Sequence, residues 1–530
     1  MLFILLLTAV VVTKVTSTRK EILPLSTSCS SNSCDSRATG VVTKLGLTHL
    51  VNTTFTAACA NAAGRKLPTL TVPFGSFQLT LNPSITQITE LSSRATLECN
   101  RLDSLPCIDN TKLKCAAGTP ELSIYVNAQR IAVEAFYKVS GPIGFAGTCK
   151  LTFNASETLI MHGAIIKGRL FPRSEDVSAI VDSVSTITCD GSSGPFIAGA
   201  AKLFPKHVAR CLKTLVEKET RDALDSWATT AGAITNDMIP LGSSKLFFDA
   251  SAVGSQLGCL RDEGGKSVGI MLSLNGGVVL QDGLPAVGAV TQPPLSSLPL
   301  MSSFDAALLL SDSSLSSGGY AAYRSGRLST RFPPALIPGW NDDLNATGLA
   351  DIVGASDLPK SFSGQPVSLT IGVYSAPLIT STSSGLLLRL PISLDARLKQ
   401  GRPKPLLLRV YCQVSALLMP RAEPRQGCGP LDSGASPSAP LRIAFKMAII
   451  EGCRAQLISN IGHVKSEKQI NDAFEGVVDL VLLPALVVAV ENHHGIMMNH
   501  IDMIKSINTV TKDGAFGIIA NFTECPITAA

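Results

Sequence analysis

The chain has 530 residues, which is too long for a single hydrophobic core and predicts two large domains. Hydrophobic residues make up 45% of it but aromatic residues only 5%, so the interior must be built from Leu, Val, Ile and Ala. The formal charge of +5 is small for this length, and acidic and basic residues are nearly balanced in both halves, so nucleic-acid binding is not expected.

The first residues, MLFILLLTAVVVTKVTS, contain an apolar run from Leu2 to Val12 that is too short to span a bilayer. Val15 and Ser17 follow it with the spacing of a signal-peptidase site. We therefore predict a signal peptide over residues 1–17 and a secreted, extracellular mature protein.

Fourteen cysteines and four glycosylation sequons fit passage through an oxidising secretory compartment, where disulfides persist. No two cysteines form a CxxC pair, so a zinc ribbon is not expected. The predicted glycosylation sites are Asn52, Asn154, Asn345 and Asn521.

The first half of the chain contains two helical patterns and one clear strand pattern. The first helical stripe consists of Val41, Val42, Leu45, Leu50, Val51, Phe55 and Ala58. Period-two alternation over residues 122–128 predicts a strand with one apolar face. The second helical stripe consists of Val208, Leu212, Leu215, Val216, Ala223 and Trp227.

A proline-rich segment, LPAVGAVTQPPLSSLPL, occupies residues 284–300 and predicts an extended connector between two domains. It is followed by FDAALLLSDSSLSSGGYAAYRSG, residues 304–326, which changes from an apolar run to a cluster of serines. Ser311 and Asp312 suit the start of a helix, so we predict a strand followed by a short helix to Tyr323.

The second half contains the longest alternation in the sequence. Every second residue over 386–398 is apolar, while Arg389 and Asp395 lie on the other face, which predicts a strand of roughly 40 Å. Residues 441–449 repeat the pattern. Long one-sided antiparallel strands indicate a sheet wrapped around something apolar.

A third helical stripe begins near Glu467 and is apolar nearly all round beyond Val477, so the end of this helix must be buried or face lipid. Its members are Ile470, Phe474, Val477, Val478, Val481, Ala485 and Val488. Each half therefore shows an early helix, long strands and a late helix, which predicts two similar domains.

Several segments resemble the family of bactericidal/permeability-increasing protein, lipopolysaccharide-binding protein, and the cholesteryl ester and phospholipid transfer proteins. The strongest are the segment at 304–326 and QLISNIGHVKSEKQINDAFEGVVDLVLLPALVVAV, which contains a Ser-Asn-Ile-Gly turn at 459–462. GVVTKLGLTHL near the start, STITC before the second helix and KSINTVTKDGAFGIIANF at the end follow in the family's order. The resemblance covers most of residues 38–523.

This resemblance implies an α+β fold, an elongated boomerang of two similar domains with a central connecting sheet. Each domain would be a highly twisted, barrel-like antiparallel sheet wrapped around a long helix, at residues 18–284 and 301–530, with the connector at 285–300. Each would hold an apolar pocket for a phospholipid or a related amphiphile, lipopolysaccharide included. The implied lining residues are Val41, Leu45, Leu50, Leu212, Leu215 and Val216 in the first domain and Leu315, Tyr320, Phe474, Val478, Val481 and Leu482 in the second.

The family's disulfide joins a strand to the late helix of the first domain. The resemblance implies Cys189 and Cys211 as its partners in this chain, with Cys149 as the alternative to Cys189. The remaining cysteines depart from the family, and no pairing is predicted for them.

The histidines of ENHHGIMMNH, namely His493, His494 and His500, lack a supporting carboxylate or cysteine spacing. We predict a solvated turn there and no metal site. The chain contains neither a Gly-x-Ser-x-Gly elbow nor an HExxH motif, so a secreted hydrolase ranks third among the functional hypotheses.

The leading hypothesis is a secreted, non-enzymatic lipid-binding protein without a cofactor, which transfers or presents an amphiphile and meets membrane surfaces. The near balance of charge in the first half favours lipid carriage over bacterial killing. The alternative is a secreted β-rich adhesion or surface-recognition protein, whose apolar faces are only core.

Overall fold

The computed structural model is an α+β structure dominated by antiparallel sheets, which confirms the predicted fold class. The predicted signal peptide at 1–17 and the connector at 285–300 lie outside the residues that the structure describes. Those residues are 37–49, 63–74, 76–88, 91–99, 114–117, 120–141, 144–166, 169–181, 186–190, 210–211, 213–214, 217–218, 238–240, 246–251, 258–261, 266–280, 303–326, 328–331, 344–400, 404–423, 441–492, 496–498 and 504–522.

The described elements before residue 300 are mainly strands. They are β1 (Ala38–Thr43), β2 (Leu70–Phe74), β3 (Phe77–Ile88), β4 (Leu91–Cys99), β5 (Lys114–Ala117), β6 (Pro120–Ser140), β7 (Phe145–Ile166), β8 (Arg169–Val181), β9 (Thr186–Cys189), β10 (Met238–Pro240), β11 (Leu246–Asp249), β12 (Gly258–Arg261), β13 (Ser267–Leu274) and β14 (Val278–Leu280). Helical residues are described at 44–49 and, within the second helical stripe, at 210–211, 213–214 and 217–218.

The elements after residue 300 include four α-helices, a 3₁₀ turn (Lys360–Phe362) and a π turn (Val478–Leu482). The helices are α1 (Asp312–Arg324), α2 (Ala346–Val353), α3 (Glu467–Val477) and α4 (Leu483–Asn492). The strands are β15 (Ala306–Ser311), β16 (Ser329–Arg331), β17 (Val367–Val373), β18 (Leu378–Thr382), β19 (Gly385–Leu398), β20 (Leu406–Glu423), β21 (Leu441–Glu451), β22 (Gln456–Ser459), β23 (Ile496–Met498), β24 (Ile504–Lys512) and β25 (Ala515–Phe522).

Except for β5, the strands between residues 70 and 189 form one antiparallel sheet in the order β2–β3–β6–β7–β8, with β4 also on β6 and β9 on β7. The predicted strand at 122–128 is confirmed as part of β6. Alternate residues of β6 are buried, for example Val133 and Tyr137 at 1% and 0% exposure, whereas Phe136 on the opposite face is 49% exposed. One face of this sheet is therefore core, as period-two alternation requires.

A second large sheet follows residue 329, in the order β16–β17–β19–β20–β21–β23, with β18 on β19 and β22 on β20. The strands predicted at 386–398 and 441–449 are confirmed as β19 and β21. A single apolar cluster joins one face of β17, β19 and β20 to helices α2 and α3. We call this face of the second sheet its inner face.

A central seven-stranded sheet contains strands from both ends of the chain, in the order β24–β25–β15–β1–β13–β12–β5. Its middle strand, β1, pairs antiparallel with β13 on one side and with β15 on the other. Val41, for example, lies between Met271 and Ala307. The central sheet that the resemblance implies is therefore built by strands from both halves of the chain.

The prediction that Val41 and Val42 lie on the first helix is wrong. Both residues belong to β1, where they are 0% and 3% exposed, because strands on both sides satisfy the backbone hydrogen bonds of this segment. The helical residues begin only at 44, where the hydroxyl of Thr43 accepts a hydrogen bond from the N–H of Gly46 at 3.1 Å.

The predicted short helix after Ser311 is confirmed as α1, whose N-cap is Ser311. Two serines of this helix bind main-chain groups of the first half of the chain. The hydroxyl of Ser314 donates to the carbonyl of Gly276, and that of Ser317 accepts from the N–H of Val278 at 2.8 Å. These two hydrogen bonds therefore hold α1 against the segment that runs from β13 into β14.

The prediction that Cys189 or Cys149 bonds Cys211 is wrong. Cys149 and Cys189 are bonded to each other, since the β7–β9 register places them opposite each other with their Cα atoms 4.0 Å apart. A second disulfide, which the sequence did not predict, joins Cys412 in β20 to Cys453 after β21.

Candidate functional site

One long helical element crosses the inner face of the second sheet. It consists of α3, the π turn and α4 in direct succession over residues 467–492. Phe474, Val478 and Leu483 are 4%, 0% and 4% exposed and belong to the apolar cluster of the sheet. The helix therefore covers part of the inner face with the first part of the third helical stripe, whereas Ala485 and Val488 of that stripe are exposed.

Two carboxylates on this helix fix it to the loop that follows β21. Oε1 of Glu475 accepts a hydrogen bond from the N–H of Ala455 at 2.7 Å, and Oδ1 of Asp479 accepts one from the N–H of Cys453 at 3.0 Å. Because Cys453 is also bonded to Cys412, the helix, the loop and the sheet are tied together at one place.

The π turn changes which residues of the helix face the sheet. The buried positions 474, 478 and 483 are separated by four and then by five residues. Pro484 accounts for this change, because it has no N–H to bond the carbonyl of Leu480 and its ring would clash with that carbonyl in a regular α-helix. The prediction that Val481 shares a face with Phe474 is therefore wrong: Val481 is 59% exposed, and Leu483 takes the buried position.

The inner face also carries a set of apolar side chains without a charged group. The strand register aligns Leu386 with Leu418 and Met447, and it aligns Leu388 with Ala416 and Ile449. We call this set the aliphatic wall, and its residues are Leu386, Leu388, Leu390, Val414, Ala416, Leu418, Met447 and Ile449.

The aliphatic wall is only partly covered by protein. Four of its eight residues are at most 4% exposed, but Leu388, Leu390 and Leu418 are half-buried and Ile449 is 36% exposed. The lining residues predicted from the sequence come from helical stripes and a helix-forming segment and include none of these eight. The alternation over residues 386–398 is the signal that marks them.

A buried hydroxyl lies on the same face of the sheet. Ser381 in β18 pairs with Leu386 and is 4% exposed, and its Oγ has no hydrogen-bond partner among the described residues. The N–H of Ser381 donates to Oδ1 of Asp312 at 2.7 Å, and its carbonyl accepts from the N–H of Gly514. The hydroxyl can therefore bond an oxygen of a ligand without giving up a bond to the protein.

The outer face of the second sheet is polar and is organised around Asp395. Oδ1 and Oδ2 of Asp395 accept hydrogen bonds from Arg409, both at 2.7 Å, and Oδ2 also accepts from Arg397 at 2.9 Å. The guanidinium of Arg409 lies 6.0 Å from the ring centroid of Tyr374, which stacks edge-on against Tyr411. Burial alone would raise the pKa of Asp395, but the hydrogen bonds from Arg409 and Arg397 outweigh it and lower the pKa.

Asp395→Asn is expected to lower the free energy of unfolding at pH 7 by about 2 kcal/mol, because it removes the charge that both arginines bind. The folded-state pKa is lowered, so this stabilisation is present above the unfolded pKa of about 3.9 and is lost as the pH falls through the folded value. Urea unfolding of Asp395→Asn and of the unmodified protein, at pH 7 and at about pH 3, measures this difference in unfolding free energy. Asp513→Asn, in an exposed Asp-Gly turn, is the control, and an undiminished Asp395→Asn effect in acid would contradict the prediction.

The predicted lining residues of the first domain are described for two positions only. Val41 has no exposed surface and lies in the core of the central sheet, and Leu45 is 42% exposed. The others, Leu50, Leu212, Leu215 and Val216, lie outside the described residues.

The predicted lining residues of the second domain lie on two helical elements. Leu315 and Tyr320 are half-buried on α1. Phe474, Val478 and Leu482 are brought together on the inner side of the long helix, where Leu482 is partly buried against the apolar cluster.

Two of the four sequons have described asparagine side chains. Asn345 is the N-cap of α2, and its Oδ1 accepts a hydrogen bond from the N–H of Gly348 at 2.8 Å. Asn521 uses Nδ2, the atom that a glycan would occupy, to donate to Ser506 at 3.4 Å. Asn154 lies in β7, and Asn52 lies outside the described residues.

Among the described residues, no group of three His, Cys, Asp or Glu side chains is arranged to hold a metal ion. The histidines considered for such a site, His493, His494 and His500, lie outside that part of the chain. No helix within the described ranges is both long enough and apolar enough to cross a bilayer.

No protein-family model and no curated protein sequence matches the chain. The crystal structure of lipopolysaccharide binding protein is similar over 92% of this chain and 99% of that chain, at 14% identity and a TM-score of 0.49. P47 of Clostridium botulinum E1 is similar over 92% of this chain and 100% of its own, at 7% identity and a TM-score of 0.27. Takeout 1 of Epiphyas postvittana is similar over 36% of this chain and 94% of its own, at 13% identity and a TM-score of 0.19.

Proposed function

We propose that this protein binds an amphiphilic lipid, such as a phospholipid, and holds its acyl chains against the aliphatic wall of the second sheet. The partial exposure of this wall carries the proposal. Leu388, Leu390, Leu418 and Ile449 remain partly in water beside the buried residues of the same wall. Water contact costs roughly 25 cal/mol per Å² of apolar surface, so an acyl chain that covers these side chains would be favoured.

The chemistry of the wall suits carriage rather than permanent retention. Burying a methylene is worth about 0.8 kcal/mol relative to water, so two long acyl chains would contribute on the order of 20 kcal/mol against an aqueous reference. A bilayer is as apolar as the wall, so exchange between the two is nearly neutral. A wall without charged groups therefore shields a lipid in transit without trapping it.

We further propose that the protein is secreted and non-enzymatic. The leader-like residues 1–17 support secretion, as do the disulfides Cys149–Cys189 and Cys412–Cys453, since disulfides persist in oxidising compartments. Transfer of lipid between membranes and presentation of a lipid, lipopolysaccharide included, are both compatible with the wall. The near balance of charge favours lipid carriage over bacterial killing. The first-domain site predicted around Leu45 would be a second place for lipid.

Native mass spectrometry of the full-length secreted protein, with organic extraction of what it carries, tests the proposal. We expect one or two lipids per chain, and one fewer in Leu388→Trp, because the indole would occupy space along the wall. Leu378→Trp is the matched control, since Leu378 is 43% exposed and pairs with Arg389 on the outer face.

Two results would contradict the proposal. One is a lipid-free mass that stays unchanged after incubation with phosphatidylcholine liposomes, which would favour the adhesion hypothesis. The other is an equal loss of lipid in Leu378→Trp and Leu388→Trp.

A further inference from the structure

The long helix has a second apolar face, directed away from the sheet. Leu480 is 78% exposed, Val481 is 59% exposed and Val488 is 56% exposed. Pro484 and Ala485 between them are also exposed. These five residues, which we call the outer helix face, follow one another at helical spacing and include no polar side chain.

The outer helix face exists because of the π turn. In a regular helix Val481 would lie above Phe474 and Val478, against the sheet. The extra residue in the turn instead gives the buried position to Leu483, so Val481 joins Leu480 on the solvent side. The apolar character of this face is thus a product of the helix geometry.

The size of the outer helix face argues against a stable protein partner. Its five residues expose on the order of 450 Å², about half of the roughly 800 Å² that each partner buries in a typical stable interface. A bilayer sets no such minimum, since an amphipathic helix binds by burying its apolar face about 5–10 Å into the boundary between headgroups and acyl chains.

The distribution of charge along the helix agrees with a bilayer as the occupant. The exposed charged residues among the described side chains of the element are Glu467, Lys468, Asp472 and Asp479, all of which precede Leu480. The exposed apolar residues lie beyond Asp479, whose carboxylate is held by the N–H of Cys453. One end of the helix is therefore suited to water and the other to the interface of a membrane.

We propose that the outer helix face docks this protein onto lipid bilayers. This inference rests on the proposed function and adds the surface by which the protein reaches its lipid. The docking helix also covers part of the inner face of the sheet, so contact with the bilayer brings the membrane next to the face that carries the aliphatic wall.

Co-sedimentation of the full-length protein with phosphatidylcholine vesicles tests the docking face. The double variant Leu480→Gln, Val488→Gln is expected to partition onto vesicles at least tenfold more weakly, while Leu378→Gln, an equivalent change on the outer face of the sheet, keeps the unmodified affinity. Neutral glutamine on exposed helix positions leaves the fold intact, which circular dichroism and thermal unfolding of the variant check.

Two outcomes overturn the docking face. The first is equal vesicle binding by the double variant and the unmodified protein. The second is a dimer in light scattering that the double variant converts to a monomer, since the face would then be a contact between two copies. Native mass spectrometry of the same samples separates this question from the proposed function. Absence of lipid from the unmodified protein would overturn lipid carriage, whereas selective loss of vesicle binding would still support docking.

Discussion

Replacement of both Cys412 and Cys453 by alanine is expected to lower the free energy of unfolding by about 4 kcal/mol, because the disulfide closes a loop of 41 residues in the unfolded chain. The effect should be large for a second reason. Cys453 is the residue whose N–H bonds Asp479, so the disulfide also holds the loop that anchors the long helix.

Chemical denaturation of the oxidised proteins measures this difference. In a reducing buffer the unmodified protein loses the same bond, so most of the difference between the two proteins should disappear. Peptide mapping without reduction provides the control for connectivity and should recover Cys412 linked to Cys453 and Cys149 linked to Cys189. Recovery of Cys189 linked to Cys211 would contradict the pairing.

Leu483→Ala is expected to cost about 2–5 kcal/mol of unfolding free energy, since Leu483 is 4% exposed within the apolar cluster and its truncation leaves a cavity. Val481→Ala is the matched variant two residues away and should change stability by no more than about 0.5 kcal/mol, because Val481 is 59% exposed.

The pair tests the π turn directly, and urea unfolding of both variants measures it. A regular α-helix would reverse the order, with Val481 on the sheet side and Leu483 turned away from it. A larger loss for Val481→Ala than for Leu483→Ala would therefore contradict the described register of the helix.

The regular elements of the second half were predictable because their periodic patterns continue over many residues. Alternation over 386–398 marks β19 almost residue for residue, and Ser311 and Asp312 mark the start of α1. Such patterns arise because one face of the element is buried. Apolar residues therefore recur every two residues in a strand and about every 3.6 residues in a helix.

Two of the errors have a common physical origin, which is tertiary contact that no local pattern reports. Val41 fits a helical stripe in the sequence, but it lies in a strand because β13 and β15 pair with its segment on both sides. The Cys149–Cys189 bond depends on the register of β7 and β9. Pro484 is the one local signal that was available for the π turn, because proline in a helix displaces the carbonyl four residues before it.

The residues of the proposed lipid site were the least predictable part. The apolar patterns of the sequence do not distinguish residues of the closed core from residues of the partly covered aliphatic wall or of the outer helix face. Only exposure separates Val478, at 0%, from Leu480, at 78%, two positions along the same helix. That distinction depends on the packing of the whole second sheet.

The position of β1 at the middle of the central sheet sets the order in which the molecule can be completed during synthesis. β15 leaves the ribosome about 270 residues after β1, a delay of roughly 15–50 s at about 5–20 residues per second. Throughout that time one edge of β1 lacks its native partner and is open to pairing with another strand. β25, which pairs with β15, follows it by about a further 210 residues, so the other edge of β15 waits in turn for its partner.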